Sequence, residues 1–329
     1  MHTKPHFHPP FYLKNAHIQS ILNSVGPRKI RAKKLVKSMA SETLILTTDK
    51  GVRLQGEFDR GSFKGGQNQR SVAILIHGWE GSSQSAYIVT TAVKLLNSGF
   101  DVLRLNLRDH GDTQHLNREI FNSTMTEEVA DCIQRFTEER DYTNRFLVGF
   151  SLGGNFTLRI AADRGADLGL TAAVAICPPV DPVSATATLN RSLFVYQKYF
   201  MHRWKNSLRK KIQFYPEYDF ASELNSLKTI DAMNQNLAPK LTPFPDVISY
   251  LKSYALTGDR LQYLTTPSHL IASANDPIIP VEDIANINCP PSLSIEVHSN
   301  GGHCGFINRL NGESWLESFL VELLQKHSS

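Results

Sequence analysis

A mostly parallel, doubly wound α/β sheet with helices inserted after its sixth strand is the fold the sequence predicts. Three observations carry it. Short apolar runs alternate with helical periods from residue 72 to residue 176, the rhythm breaks between residues 181 and 263, and it resumes from residue 268. Alternation of this kind builds parallel sheets through right-handed crossovers.

Residues 43–48 and 52–58 carry alternating or β-branched residues on either side of a turn and read as an antiparallel hairpin. Residues 61–70, GSFKGGQNQR, form a polar, Gly-rich turn. VAILI at 72–76 is a continuous apolar run, as expected of a strand buried on both faces. Residues 86–96 have helical spacing and stop at Ser98-Gly99; residues 102–107 read as the next strand and 126–136 as the next helix. RFLVGF at 145–150 is a strand that runs straight into Ser151, 152–162 is helical, and 172–176 is a strand again. Residues 181–263 hold few strand-like runs and many helix formers, and read as a helical cap on a core of residues 1–180 and 264–329. A strand at 269–272, a short helix after Pro280, a strand at 293–298 and an amphipathic helix at 314–325 complete the core.

The bulk properties agree. A chain of 329 residues suits one α/β domain with an insertion, and 41% hydrophobic residues can fill a large core. The formal charge of +4 is too small to argue for a nucleic-acid partner. The opening residues, MHTKPHFHPPFYLKN, lack the apolar centre of a signal peptide, and no apolar stretch has the ~18 residues of a membrane span. A soluble chain is expected. Cys132, Cys177, Cys289 and Cys304 form no C-x-x-C pair, so structural zinc and a disulfide framework are not expected, and a reducing cytoplasm fits.

Gly149-Phe150-Ser151-Leu152-Gly153 fits G-x-S-x-G, the nucleophile elbow of the α/β-hydrolase fold. The pentapeptide alone is weak, but here it follows a strand and opens a helix, as the motif requires. A serine hydroxyl near neutral pH needs a base within hydrogen-bond reach, and that base needs an orienting group. In this fold the chain order is Ser, acid, His. Asp276, just past the strand at 269–272, is the expected acid, with Asp181 as its rival. His303, in the Gly-rich loop after the last strand, is the expected base, with His298 as its rival. Cys304, next to it, reads as a packing residue.

The oxyanion of an attacked carbonyl would be held by the N–H of Leu152, at the helix start, and that of Trp79 in the loop His77-Gly78-Trp79-Glu80-Gly81-Ser82. His77, Gly78 and Glu80 are supporting residues there, with the His77 and Glu80 side chains holding the loop in shape by hydrogen bonds. Arg108, after the next strand, is expected to brace the nucleophile loop. Asp109 and His110 could mimic a metal pair, but no further ligand has suitable spacing. Neither a metal nor a cofactor is expected.

Together these motifs resemble the YheT-like group of hydrolases, family 4 of the α/β-hydrolases. The resemblance begins at Pro9-Pro10-Phe11-Tyr12 and Asn15-Ala16-His17-Ile18-Gln19-Ser20. It continues through the His77 loop, Asn106-Leu107-Arg108, Gly149 to Asn155, and Gly301-Gly302-His303-Cys304-Gly305-Phe306. It implies a carboxylic ester hydrolase acting on short or medium acyl esters, with Ser151, Asp276 and His303 as its triad. Some relatives act on lipids or transfer acyl groups to alcohols. The chain departs from the pattern at Arg108-Asp109-His110-Gly111, where relatives often have R-G-x-G, and in a basic, aromatic stretch at 191–215. That stretch reads as a lid helix with its apolar face inward and its basic residues in water, in preference to an interfacial helix meeting anionic lipid. The expected partner is a small ester or acyl substrate. A binding protein on an inactive hydrolase fold is the rival of a different class, and the complete Ser151, Asp276 and His303 set argues against it.

Overall fold

The computed structural model describes residues 6–62 and 70–328, so most of the turn expected at 61–70 lies outside the described residues. One eight-stranded sheet has the order β1-β2-β4-β3-β5-β6-β7-β8. Its strands are β1 (Glu42–Thr47), β2 (Arg53–Asp59), β3 (Ser71–Ile76), β4 (Asp101–Leu105), β5 (Asn144–Phe150), β6 (Ala172–Ile176), β7 (Ser268–Ser273) and β8 (Leu293–His298). The β1–β2 hairpin is antiparallel and β2 meets β4 antiparallel; every other pairing is parallel.

The continuous apolar runs follow from helices on both faces. Successive strand residues point to opposite sides. Val72, Ile74, Ile76, Leu147, Ala173 and Ala175 join one core cluster, while Ala73, Leu75, Phe146, Val148, Ala172 and Val174 join the other. Two helices precede the sheet, α1 (Ala16–Ser24) and α2 (Pro27–Ser38). Then come α3 (Ala86–Leu96), α4 (Thr126–Glu138) and α5 (Leu152–Arg164). The first cluster is covered by α4 and α5, the second by α3 and the last helix of the chain.

Nothing in the apolar pattern foresees α1 and α2. Six of the twelve residues of α2 are Lys or Arg, and only Arg28 and Ala32 are buried, so it lacks the apolar stripe of an amphipathic helix. Local chemistry sets its boundaries. The Asn15 side chain accepts hydrogen bonds from the His17 and Ile18 amides, capping α1. Gly26, at φ 66°, turns the chain so that Pro27 opens α2.

Between β6 and β7 lie α6 (Pro182–Arg191), α7 (Phe194–Phe214), α8 (Ala221–Ser226), α9 (Ile230–Leu241) and α10 (Val247–Ser253). They share an apolar cluster that includes Leu189, Tyr196, Met201, Leu224 and Leu237, which Ile120 and Ile278 join from outside these helices. Tyr250 and Leu251 of α10 pack into the main core instead. The 3-10 turn Val281–Asn286 follows Pro280, and α11 (Trp315–His327) ends the fold. Among the described residues, no helix is long and apolar enough to cross a membrane.

The basic residues of α7 do not all face water, contrary to the lid-helix expectation. The Lys211 side chain is 1% exposed. Its Nζ donates to Asp109 Oδ1 at 2.8 Å and to the Asn117 and Glu119 carbonyls. A buried ammonium is tolerable only when paired and hydrogen-bonded, and here the pairing fastens α7 to the loop after β4.

Candidate functional site

Ser151 sits between the last residue of β5 and the first of α5, with φ 53° and ψ −122°. Such a backbone costs an L-residue about 1–3 kcal/mol, and the surroundings must over-determine it. They do so by close approach. A Cβ on Gly149 would lie 2.0 Å from the Gly153 carbonyl oxygen, and one on Gly153 would lie 2.4 Å from that of His77. The Ser151 amide is tied to the Ile176 carbonyl at 2.8 Å. The hydroxyl is thereby held at the carboxyl edge of the sheet, where open α/β folds bind ligands.

Two loops bring the partners. Asp276 follows β7; its Oδ1 accepts from the Ile278 and Ile279 amides at 2.8 and 3.0 Å, which leaves Oδ2 for His303 Nδ1 at 2.8 Å. His303 Nε2 lies 2.9 Å from Ser151 Oγ. A carboxylate only accepts, so Nδ1 carries the proton and Nε2 offers its lone pair to the serine hydroxyl. Burial opposes a charged imidazole, but the adjacent Asp276 carboxylate outweighs it and holds His303 well above its ordinary pKa. The two rivals are engaged elsewhere. Asp181 caps α6 through the Val183 and Ser184 amides. His298 is buried against Trp315 and accepts from the Phe7 amide.

The His303 loop rests on the N-terminal helices. The His303 amide donates to Ser20 Oγ at 2.8 Å. Gln19, fully buried, donates to the Leu13 and Ile307 carbonyls and accepts from the Ile307 amide at 2.6 Å. The Gly302 amide donates to Asn275 Oδ1 at 3.0 Å, which joins this loop to the Asp276 turn. Reasoning from the sequence assigned no role to Ser20, Gln19 or Asn275. The available signal was the Asn15-x-His17-x-Gln19-Ser20 segment, whose spacing places Gln19 and Ser20 on α1.

The Leu152 and Trp79 amides make no backbone hydrogen bond among the described residues. Leu152 is the first residue of α5, where an N–H has no partner within the helix. The Trp79 loop lies against the nucleophile turn, since a Cβ on Gly78 would stand 3.1 Å from Ser151 Cβ. His77 does hold this loop: Nδ1 meets the Gly78 carbonyl at 2.7 Å, and Nε2 accepts from the Leu107 amide at 3.2 Å. Burial pushes the His77 pKa well below its ordinary value, so the ring is neutral.

Two supporting roles are corrected. Among the described residues the Glu80 side chain makes no hydrogen bond that shapes the loop. The Tyr87 hydroxyl and Asn106 Oδ1 do so instead, accepting from the Gly78 and Ser83 amides. Among the described residues, Arg108 makes no hydrogen bond to the Ser151 turn. It pairs with Glu128 of α4 and with Glu119, because a buried guanidinium is stable only beside carboxylates, and these stand on that side.

An apolar cavity of about 160 Å³ opens onto Ser151, with Trp79, Leu189, Phe200, Leu237 and Tyr250 in its wall and, among the described residues, His303 as its sole ionisable group besides tyrosine. Trp79 stacks on Phe200 at 5.2 Å and meets Trp204 edge-on, so α7 roofs the serine. Asp109 holds Lys211, and His110 Nδ1 meets the Arg108 carbonyl. Among the described residues, Cys177, His303 and Cys304 bring potential ligand atoms within 4.8 Å of one another, but both His303 nitrogens are already engaged by Ser151 and Asp276. Cys304 is 2% exposed; burial raises its thiol pKa, but the neighbouring Cys177 and His303 outweigh that and lower it.

Comparison with known proteins agrees with this architecture. An "Abhydrolase domain-containing protein" of Dictyostelium discoideum is 26% identical over 326 residues, covering 97% of this chain and 80% of the relative. The "Putative esterase YheT" of Escherichia coli is 25% identical over 258 residues, covering 76% of this chain and 75% of the relative. In the solved structures, a Pyrococcus furiosus esterase superposes with a TM-score of 0.57 at 17% identity, with both chains fully covered. Residues 73–310, from β3 to the loop before α11, match the model of the alpha/beta hydrolase family, and to that family the chain belongs.

Proposed function

We propose that the chain is a serine esterase that cleaves carboxylic esters of short to medium acyl chains through an acyl-enzyme on Ser151. The observation that carries this reading is the unbroken line from Ser151 Oγ to His303 Nε2 at 2.9 Å and from His303 Nδ1 to Asp276 at 2.8 Å. The names of the YheT relative and of the Pyrococcus structure support it.

His303 takes the Ser151 proton as the oxygen attacks the ester carbonyl, and Asp276 stabilises the imidazolium. The Leu152 and Trp79 amides hold the oxyanion; one such donor is typically worth about 2.7–4 kcal/mol in the transition state. His303 then protonates the departing alkoxide, and water repeats the sequence on the acyl-enzyme. None of these steps calls for a cofactor. The acyl chain lies in the apolar cavity under α7. The four cysteines, all free thiols, support a reducing, cytoplasmic setting.

A series of p-nitrophenyl esters from acetate to dodecanoate, together with a fluorophosphonate probe, tests this. Wild type should turn over the shorter esters and take the label, and Ser151→Ala should do neither. Labelling that survives the substitution would place the nucleophile elsewhere.

A further inference from the structure

We propose that the alcohol half of the substrate carries an anionic group of phosphate chemistry, received by Lys29, Lys33 and Lys37 of α2 and Arg203 of α7. This deepens the serine-esterase reading and rests on it. Ser151 and His303 line not one cavity but two. The first is the apolar one already described. The second, about 490 Å³, runs from the serine past the Gly78–Ser82 loop to α2, and these four cations are in its wall.

The cations converge from two elements. Residues four apart share a face of a helix, so Lys29, Lys33 and Lys37 form one stripe along α2. Arg203 stands on the α7 wall, its guanidinium 5.7 Å from the centre of the Tyr199 ring. Elsewhere on α2, Arg28 and Arg31 both pair with Glu317. The three lysines and Arg203 are exposed and form no ion pair among the described residues. Like charges four apart destabilise a helix, so the stripe is unfavourable unless an anion answers it. Among the described residues, Glu80 is the one carboxyl lining this cavity. Burial raises its pKa to about 7, so near neutrality it supplies less than a full countercharge.

The two cavities thus sort the two halves of an ester. Both walls carry apolar side chains, Ala32, Val36, Tyr87 and Phe200 among those of the second, so it is the cations that tell the cavities apart; an anion in the first would be desolvated without a partner. As the bond from acyl carbon to alcohol oxygen breaks, that oxygen takes the serine proton through His303, and the anionic alcohol leaves along the basic groove. The phosphate itself is untouched.

The test compares octanoyl glycerol with octanoyl glycerol 3-phosphate, each below its aggregation concentration, by kcat/KM. The enzymes are wild type, the Lys29→Gln/Lys33→Gln/Lys37→Gln triple variant, and Arg203→Gln. Wild type should favour the phosphate ester about tenfold at low salt, the sum expected of several exposed charge contacts. The ratio should fall toward one in about 0.5 M salt and in both variants. Equal turnover of the two esters by wild type would overturn the proposal. So would a preference for an ester whose anion sits on the far end of the acyl chain. Stimulation of neutral-ester cleavage by phosphatidylglycerol vesicles, with no preference for the monomeric phosphate ester, would assign the cations to a lipid surface and overturn it too. Turnover of neither ester, with no fluorophosphonate labelling of Ser151, would sink the esterase reading, and this assignment with it.

Discussion

Replacing Gln19 by leucine removes three hydrogen bonds while nearly preserving shape. The side chain is fully buried, so water cannot replace it. The Ile307 amide loses its acceptor at 2.6 Å, and the Leu13 and Ile307 carbonyls lose donors at 2.7 and 2.9 Å. A buried polar group left unpaired costs about 1–3 kcal/mol. Three such losses, with the carbonyls at the low end because each keeps a second lone pair, sum to about 3–5 kcal/mol. That is a large part of the roughly 5–15 kcal/mol that holds a domain together. Urea unfolding followed by tryptophan fluorescence should show a lower midpoint at an unchanged slope. Because Ile307 ends the loop that carries His303, kcat should fall more than KM rises. A stability change under about 0.5 kcal/mol with unaltered turnover would refute the idea that α1 props the catalytic loop.

The proposed mechanism needs His303 neutral, and Asp276 holds its pKa well above the ordinary value, so kcat/KM should rise with pH along a limb lying above about 6.5. Asp276→Asn should move that limb to lower pH and reduce kcat by roughly 10³–10⁴-fold; a limb that stays in place would mean another group titrates. Lys211→Met should cost about 3–5 kcal/mol in chemical unfolding, because it strands the buried Asp109 carboxylate. Adding Asp109→Asn should recover part of that loss, and a double variant no more stable than the single one would argue against the pairing.

Much of the site was legible because its chemistry is local. Ser151 announces itself through glycines two residues to either side, since a Cβ on Gly153 would lie 2.4 Å from the His77 carbonyl oxygen and only a residue without one fits there. Asp276 and His303 stand just past strands whose apolar runs are plain in the sequence. Arg108 and Glu80 were misread because a charged residue beside a catalytic motif does not declare which way it points. Arg108 turned to the carboxylates of Glu119 and Glu128, and the loop found Tyr87 and Asn106 instead of Glu80. The N-terminal helices escaped because α2 is charged almost all round, and its one deeply buried arginine owes its place to Glu317, 289 residues away.

By itself the sequence determined the strand-helix alternation, the glycine-flanked turn at Ser151 and the chain order of Ser151, Asp276 and His303, because periodicity and steric limits act over a few residues. Only the tertiary structure decided that Ser20 and Gln19 support the histidine loop, that Lys211 fastens the roof to the core, and that two cavities, one of them walled by four cations, meet at one serine. Those facts depend on which distant surfaces come together. Burial then selects, from many polar groups, the few whose hydrogen bonds and charges must be matched.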